Sequence, residues 1–262
     1  VTCLDKNGKT LSATAADDGT YTISDISSLE APIMIRAVGT AAGNETTLFS
    51  VLQTKPTAGT VAVANVTPLT NAIVAQVTGG EPEVVFNTPT VIATKLKATD
   101  VDDATKKLVT VLEAPLTSLS VSTTVDPFKT KFTADSTGID KLLDLVKVDA
   151  DPSGKMQVAD KSSGVMKVID TTDTDATIAS KKLSNVPDEV KNLELPKIQS
   201  LIDKMNAAIA KGSSLQASDI SPLLAPGFRD RGKSDTEWIK DILSEPPPSG
   251  YKLGKYVFDS CT

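Results

Sequence analysis

Aspartates at two-residue spacing are the first candidates for chemistry in this sequence. Asp149, Asp151 and Ser153 stand at alternate positions, Gly154 follows, and Asp160 occupies the twelfth position counted from Asp149. Oxygen ligands at that spacing, with glycine at the sixth position, are what an EF-hand loop wraps around a calcium ion. Two features depart from that pattern. Asp160 stands where a bidentate Glu closes the shell, and Pro152 interrupts the loop. The competing expectation is a plain Asp-Pro-Ser-Gly hairpin turn. A second acidic group, Asp170, Asp173 and Asp175, could hold a hard cation or form a solvated loop. The arginines are Arg36, Arg229 and Arg231, and two of them fall in Gly227-Phe228-Arg229-Asp230-Arg231-Gly232-Lys233, ahead of a helix start. Guanidinium forks and helix amides could hold an anion there, against a solvated loop with local Asp pairing.

Composition removes many other chemistries. The chain has 262 residues and no His, so imidazole triads, proton relays and His metal sites are excluded. Its two cysteines, Cys3 and Cys261, cannot make a four-thiolate zinc or iron–sulfur site. No nucleophile elbow, P-loop, dinucleotide fingerprint or zinc-protease motif occurs. A formal net charge of -6 opposes nucleic-acid binding, which needs a basic surface. No apolar run approaches the ~20 residues of a membrane span. The expectation is a non-enzymatic chain, with a His-free Ser-Lys or carboxylate hydrolase as the enzyme class still compatible with the residues. With 40% hydrophobic and 23% charged residues it should fold.

The elements that must position these residues begin with short strands. Val1–Asp5 and Thr10–Ala15 flank an Asn7-Gly8 turn, and Asp17-Asp18-Gly19 makes a second turn before Thr20–Ile23. Pro32–Val38 and Glu45–Leu52 are the next two runs, with Gly39–Asn44 turning between them. Close turns between short strands predict a β-sandwich over residues 1–63. Residues 64–186 read as a helical layer with a β-meander. Thr67 caps a helix with Pro68 at its first position, Leu69, Ile73 and Val77 on one face, and Gly79-Gly80 as its stop. Further helices are expected over Asp100–Glu113 and from Ser136 or Thr137, and short strands at Val146–Val148, Met156–Val158, Val165–Ile169 and Ala176–Ile178. Residues 187–262 read as a helical segment. It includes a Ser234-to-Glu237 capping box, a stiff Pro246-Pro247-Pro248 spacer and a lone alternating strand over Tyr251–Asp259. The fold class is thus α+β, with amphipathic helices that must pack on another surface.

Several of these residues resemble a known module. Cys3-Leu4-Asp5-x-Asn7-Gly8-Lys9-Thr10, then Asp18-Gly19-x-Tyr21-x-Ile23, then the apolar Ile33–Ala37 run resemble a carboxypeptidase-regulatory-like (transthyretin-like) β-sandwich. The Asn65-Val66-Thr67-Pro68-Leu69-Thr70 segment is similar to the stretch immediately C-terminal to that sandwich in such proteins. The resemblance covers roughly residues 1–75. It implies an Ig-like sandwich in an exported bacterial protein, including surface lipoproteins. The family's sandwich has a strand ahead of the position of Val1, which implies an open sheet edge here.

Cysteines confined to the two ends, heavy Thr and Ser use and 4% aromatics agree with export, to the cell surface, the periplasm or the outer-membrane surface. The chain is expected to be a mature or fragment form. A Cys3–Cys261 bridge could close within one chain or link two chains. The lone terminal strand, with Tyr251, Leu253, Tyr256 and Phe258, could complete a neighbouring subunit's sheet. Such a contact does not close on itself and builds a filament. The expected function is an extracellular structural or adhesive protein, self-associating or held by other surface proteins. The alternative is a monomeric surface or periplasmic lipoprotein module binding a glycan or protein ligand. No cofactor is expected beyond the candidate calcium.

Overall fold

The computed structural model describes residues 1–41, 44–161, 163–184, 204–208, 210–211, 214–224, 229–230 and 233–244. The chain divides into two compact units, Val1–Lys191 and Asn192–Ser260.

In the first unit, β1 (Thr2–Asp5) and β2 (Thr10–Ser12) form the expected hairpin. Gly8 takes φ 87 in its turn. Asp5 organises that turn. Its carboxylate accepts the N–H groups of Asn7 (2.9 Å), Lys9 (2.8 Å) and, from a distant loop, Glu30 (3.0 Å). A second hairpin joins β3 (Ile33–Ala41) to β4 (Asn44–Leu52), giving one antiparallel sheet of order β2-β1-β3-β4. The Thr20–Ile23 strand does not form. Asp18 takes both the N–H and the hydroxyl of Thr20, so local side-chain bonds replace a ladder there. That segment is instead irregular chain, with Ile23 packed on the cluster around Cys3 and Ile35 and the Tyr21 hydroxyl donating to the Ala64 carbonyl.

Both faces of this sheet are buried. Cys3, Ile33, Ile35 and Leu52 pack on one side with Leu29, Ile23, Ile26 and Val66. Leu4, Met34, Phe49 and Val51 point to the other side and join the main core. Consecutive apolar residues at Ile33-Met34-Ile35 are the signature of a strand covered on both faces.

Helix α1 (Pro68–Thr78) runs through the middle of the unit. Thr67 and Thr70 form a reciprocal cap, Pro68 opens the helix and Gly79 closes it at φ 75. Its contacts with β4 on one side and β5 on the other leave most of its residues buried. Short helices α2 (Pro82–Phe86) and α3 (Ile92–Lys95) lead to α4 (Ala98–Val111) and α5 (Glu113–Ser118). The expected single helix over Asp100–Glu113 thus ends early, and Pro115 falls inside the first turn of α5. Proline is tolerated there because that turn's N–H groups have no helical partner.

Helix α6 (Gly138–Leu145) runs directly into a meander of β5 (Val146–Ala150), β6 (Met156–Asp160) and β7 (Met166–Ile169), ordered β5-β6-β7. Val146, Val148, Met156, Val158 and Ile169 line its inner face. The expected fourth run, Ala176–Ile178, lies inside α7 (Asp175–Ser180), because Thr174 accepts the Thr177 N–H as an N-cap. One core cluster contains Leu4, Ile73, Leu108, Leu142 and Val158 together, so residues 1–63 and 64–186 share a single interior.

In the second unit a small cluster of Ala208, Leu215, Ile220 and Ile239 holds the helices Ala217–Ile220 and Asp235–Ser244. The capping box forms: Ser234 N–H donates to Glu237 at 2.8 Å and Glu237 N–H returns to Ser234 Oγ at 3.4 Å. The Pro246–Pro248 spacer and the Tyr251–Asp259 run lie outside the described residues. Among the described residues, no helix is long and apolar enough to cross a membrane.

Candidate functional site

The calcium-like stretch is the β5–β6 hairpin. Asp151 Oδ1 accepts Ser153 N–H (2.9 Å), Ser153 Oγ (2.7 Å) and Lys155 N–H (3.0 Å). The Ser153 hydroxyl is the main reason that this carboxyl sits below its usual range. Asp149 lies across from Gln157, whereas Asp160 lies across from Val146 at the far end of the ladder. The four predicted ligands Asp149, Asp151, Ser153 and Asp160 are therefore not gathered around one point. Asp151 and Ser153 meet, but they meet to close a turn.

Gly154 has a different reason to be glycine. It holds φ 83, and a Cβ there would lie 2.6 Å from Gly80 N and 2.9 Å from the Ala75 carbonyl. Gly80, at φ 86, abuts the Pro152 carbonyl in turn. The hairpin turn thus docks backbone to backbone on the C-terminal end of α1.

The second acidic group is drawn into lysine pairs. Asp170 meets Lys155 Nζ at 2.8 Å and also accepts the N–H (3.1 Å) and hydroxyl (3.0 Å) of Thr172. Lys155 and then Thr172 hold the Asp170 carboxyl far below the usual range, and Asp170 raises Lys155 in return. Asp173 bonds Lys181 and accepts the Asp170 N–H at 2.7 Å. Burial opposes ionisation of Asp173, but those donors outweigh it and its pKa is lowered. Asp175 pairs with Lys106 at 3.0 Å. The buried Lys107 crosses from α4 to the same loop, bonding the Thr171 carbonyl at 2.6 Å and Asp103 at 2.8 Å. Asp170, Asp173 and Asp175 are therefore close in sequence but turn to lysines on different elements. Among the described residues no group of three or more His, Cys, Asp or Glu side chains is placed to share a metal ion.

Of the arginines, Arg36 pairs with Glu83 at 2.8 Å and stacks 4.5 Å from the Phe86 ring centre. Arg229 lies in the short strand Arg229–Asp230, and Arg231 falls outside the described residues. Cys3 is buried, and no disulfide joins it to another described residue. Burial pushes its thiol up to about 11 against the opposing pull of the N-terminal ammonium. A thiol so held is protonated at neutral pH and a poor nucleophile. Cys261 and the strand residues Tyr251, Leu253, Tyr256 and Phe258 lie outside the described residues.

Two features escaped the sequence reading. Asp144 keeps Oδ2 shielded without a hydrogen bond, and burial followed by Asp140 raises its pKa. Strand β7 and the residue before it leave Val165, Met166 and Val168 exposed at 47%, 54% and 37%. Exposed apolar residues were visible in the sequence as a run; their position on a sheet edge was not. No family model, no curated protein and no solved structure matches this chain.

Proposed function

We propose that this chain is a non-catalytic structural or adhesive module of an exported, surface-associated protein. The observation that supports it best is the use made of its charged groups. Asp5, Asp170, Asp173 and Lys107 each spend their hydrogen-bonding capacity on backbone groups or a paired side chain that brace the fold. A catalytic acid, base or nucleophile must instead present a group to substrate. On this reading the four-stranded sheet is one layer of a carboxypeptidase-regulatory-like module, with the irregular chain between β2 and β3 lying where a second sheet would pack. Subunits would join by strand complementation into an extracellular fibre.

Migration on unheated SDS gels, with and without reductant, tests the assembly. A ladder above the 27.4 kDa chain that collapses on heating or reduction supports a structural subunit. A single band in every lane favours the monomeric surface module, and binding to glycan arrays then identifies its ligand. Hydrolysis of a broad ester, amide or phosphate panel, abolished by Lys107→Met or Asp173→Asn in a folded variant, would sink the non-catalytic reading.

A further inference from the structure

The two sheets treat their edges differently. On the outer edge of β4, the Phe49 N–H donates to Asn71 Oδ1 (3.0 Å) and the Phe49 carbonyl accepts from Thr70 Oγ1 (3.1 Å). Side chains of α1 thus take up the outward backbone groups of β4 at Phe49. At the other side, β2 is only three residues long, with Thr10 and Ser12 exposed. Short, polar or side-chain-sealed edges resist strand addition.

Strand β7 is one residue longer than β2, its exposed side chains are apolar, and among the described residues no side chain bonds its outer edge. Asp160 N–H donates to the Val165 carbonyl at 3.0 Å, and the register pairs Val158 with Lys167 and Met156 with Ile169. In an antiparallel ladder, residues 165, 167 and 169 then turn their backbone groups toward β6, and Met166 and Val168 turn theirs outward. Among the described residues, nothing bonds the outward N–H and C=O groups of Met166 and Val168. The Met166 and Val168 side chains are also exposed. Lys167 is the one charge on the strand.

The open edge fits one particular sequence of this chain. Set antiparallel with Asp259 opposite Lys167, the C-terminal run brings Phe258 beside Val168 and Val257 beside the buried Ile169. Phe258 and Ser260 then face the outward backbone groups of Val168 and Met166. Charge and apolar character agree in this register. We propose that β7 is the acceptor edge for residues 257–260 of a second copy of this chain, joined by strand addition. The inference rests on the structural role proposed for the chain and names its junction. Each copy carries one donor and one acceptor, so the contact is heterologous and propagates.

Light scattering of the full chain over a concentration series tests this. The expected result is mass growing with concentration. Val168→Pro removes the outward N–H without touching the β6 ladder, and Phe258→Asp spoils the donor. Each variant alone should run as a monomer, and an equimolar mixture should form dimers only, since one intact donor meets one intact acceptor. Should Val168→Pro lower the unfolding midpoint, Lys167→Asp replaces it, with assembly recovered by a second Asp259→Lys change. A Lys167→Cys, Asp259→Cys chain carrying Cys261→Ser should form intermolecular disulfides under mild oxidation, because directly opposed non-hydrogen-bonded pairs have suitable spacing. Multimers that persist in both blocked variants would overturn this junction and leave the structural reading standing. A monomer at every concentration, or a disulfide closed within one chain, would overturn the junction and shift the function to the monomeric binding module.

Discussion

The four-stranded and three-stranded sheets share one helix but not one environment. Strands β3 and β4 are packed on both faces, and Asn71 and Thr70 hold the outer edge of β4 at Phe49. Among the described residues the β5-β6-β7 sheet is packed on its inner face, with Lys147 and Asp149 exposed on the other. The difference was written in residue order. Ile33-Met34-Ile35 is continuous because both directions lead into a core. Val146-Lys147-Val148-Asp149 alternates because one direction leads to water.

The largest test of that comparison is at the junction between the second sheet and α1. Gly154→Val adds a side chain to a positive-φ position facing Gly80 at contact distance. It should cost about 4 kcal/mol in urea unfolding, from backbone strain plus overpacking. Gly19→Ala makes the contrast: φ is also positive, but nothing lies within 4 Å, and the loss should be about 1 kcal/mol. Equal losses at the two sites would contradict the backbone-to-backbone docking.

Alanine substitutions along neighbouring positions come next. Met34→Ala and Ile35→Ala should each cost about 2–5 kcal/mol, since each empties a different buried face. In β5 the pattern should alternate. Val148→Ala should cost about 2 kcal/mol, and Lys147→Ala should stay within about 0.5 kcal/mol. A large loss at Lys147 would mean that the outer face of the second sheet is covered after all.

Unsealing the first sheet is a smaller change. Asn71→Leu leaves the Phe49 N–H without its partner, at about 1–3 kcal/mol. It should also promote self-association through the newly exposed β4 edge, read by light scattering. No change in either quantity would remove Asn71 as the edge seal.

The smallest effect is on acid stability. Asp5, Asp170 and Asp173 all have lowered pKa values in the fold. Their stabilisation is present above the unfolded carboxylate pKa of about 4 and is lost as pH falls through the folded values. Thermal midpoints should therefore drop as pH falls below about 4, and Asp170→Asn should flatten that acid limb. Asp144 has the opposite sign: its raised pKa costs stability at neutral pH and relaxes on acidification. An acid limb identical in Asp170→Asn and the parent would show that the Lys155 pair contributes nothing to the linkage.

Local chemistry was legible from the residues alone. The Thr67 cap with Pro68 and Gly79, the Asn7-Gly8 turn, the Ser234-to-Glu237 box and the strand alternation all depend on contacts within a few positions. The misreadings share one origin. Thr20–Ile23 alternates like a strand, and Ala176–Ile178 reads as a run, but each is decided by a side chain, Asp18 or Thr174, that captures backbone N–H groups first.

The sequence by itself determined the α+β class, the strands flanking Asn7-Gly8, the capped helix from Pro68, the β-meander at residues 146–169, and the exclusion of His and multi-thiolate chemistry. Only the tertiary structure decided what the charged and glycine residues are for. Asp149 and Asp160 stand at ligand spacing along the chain, yet a hairpin separates them because its two strands run in opposite directions. Lys155 reaches Asp170, and Gly154 reaches Gly80, across separations that no short-range pattern records. Spacing along a chain fixes distances within one turn or one strand. Beyond that, the packing of the hydrophobic faces chooses which side chains meet.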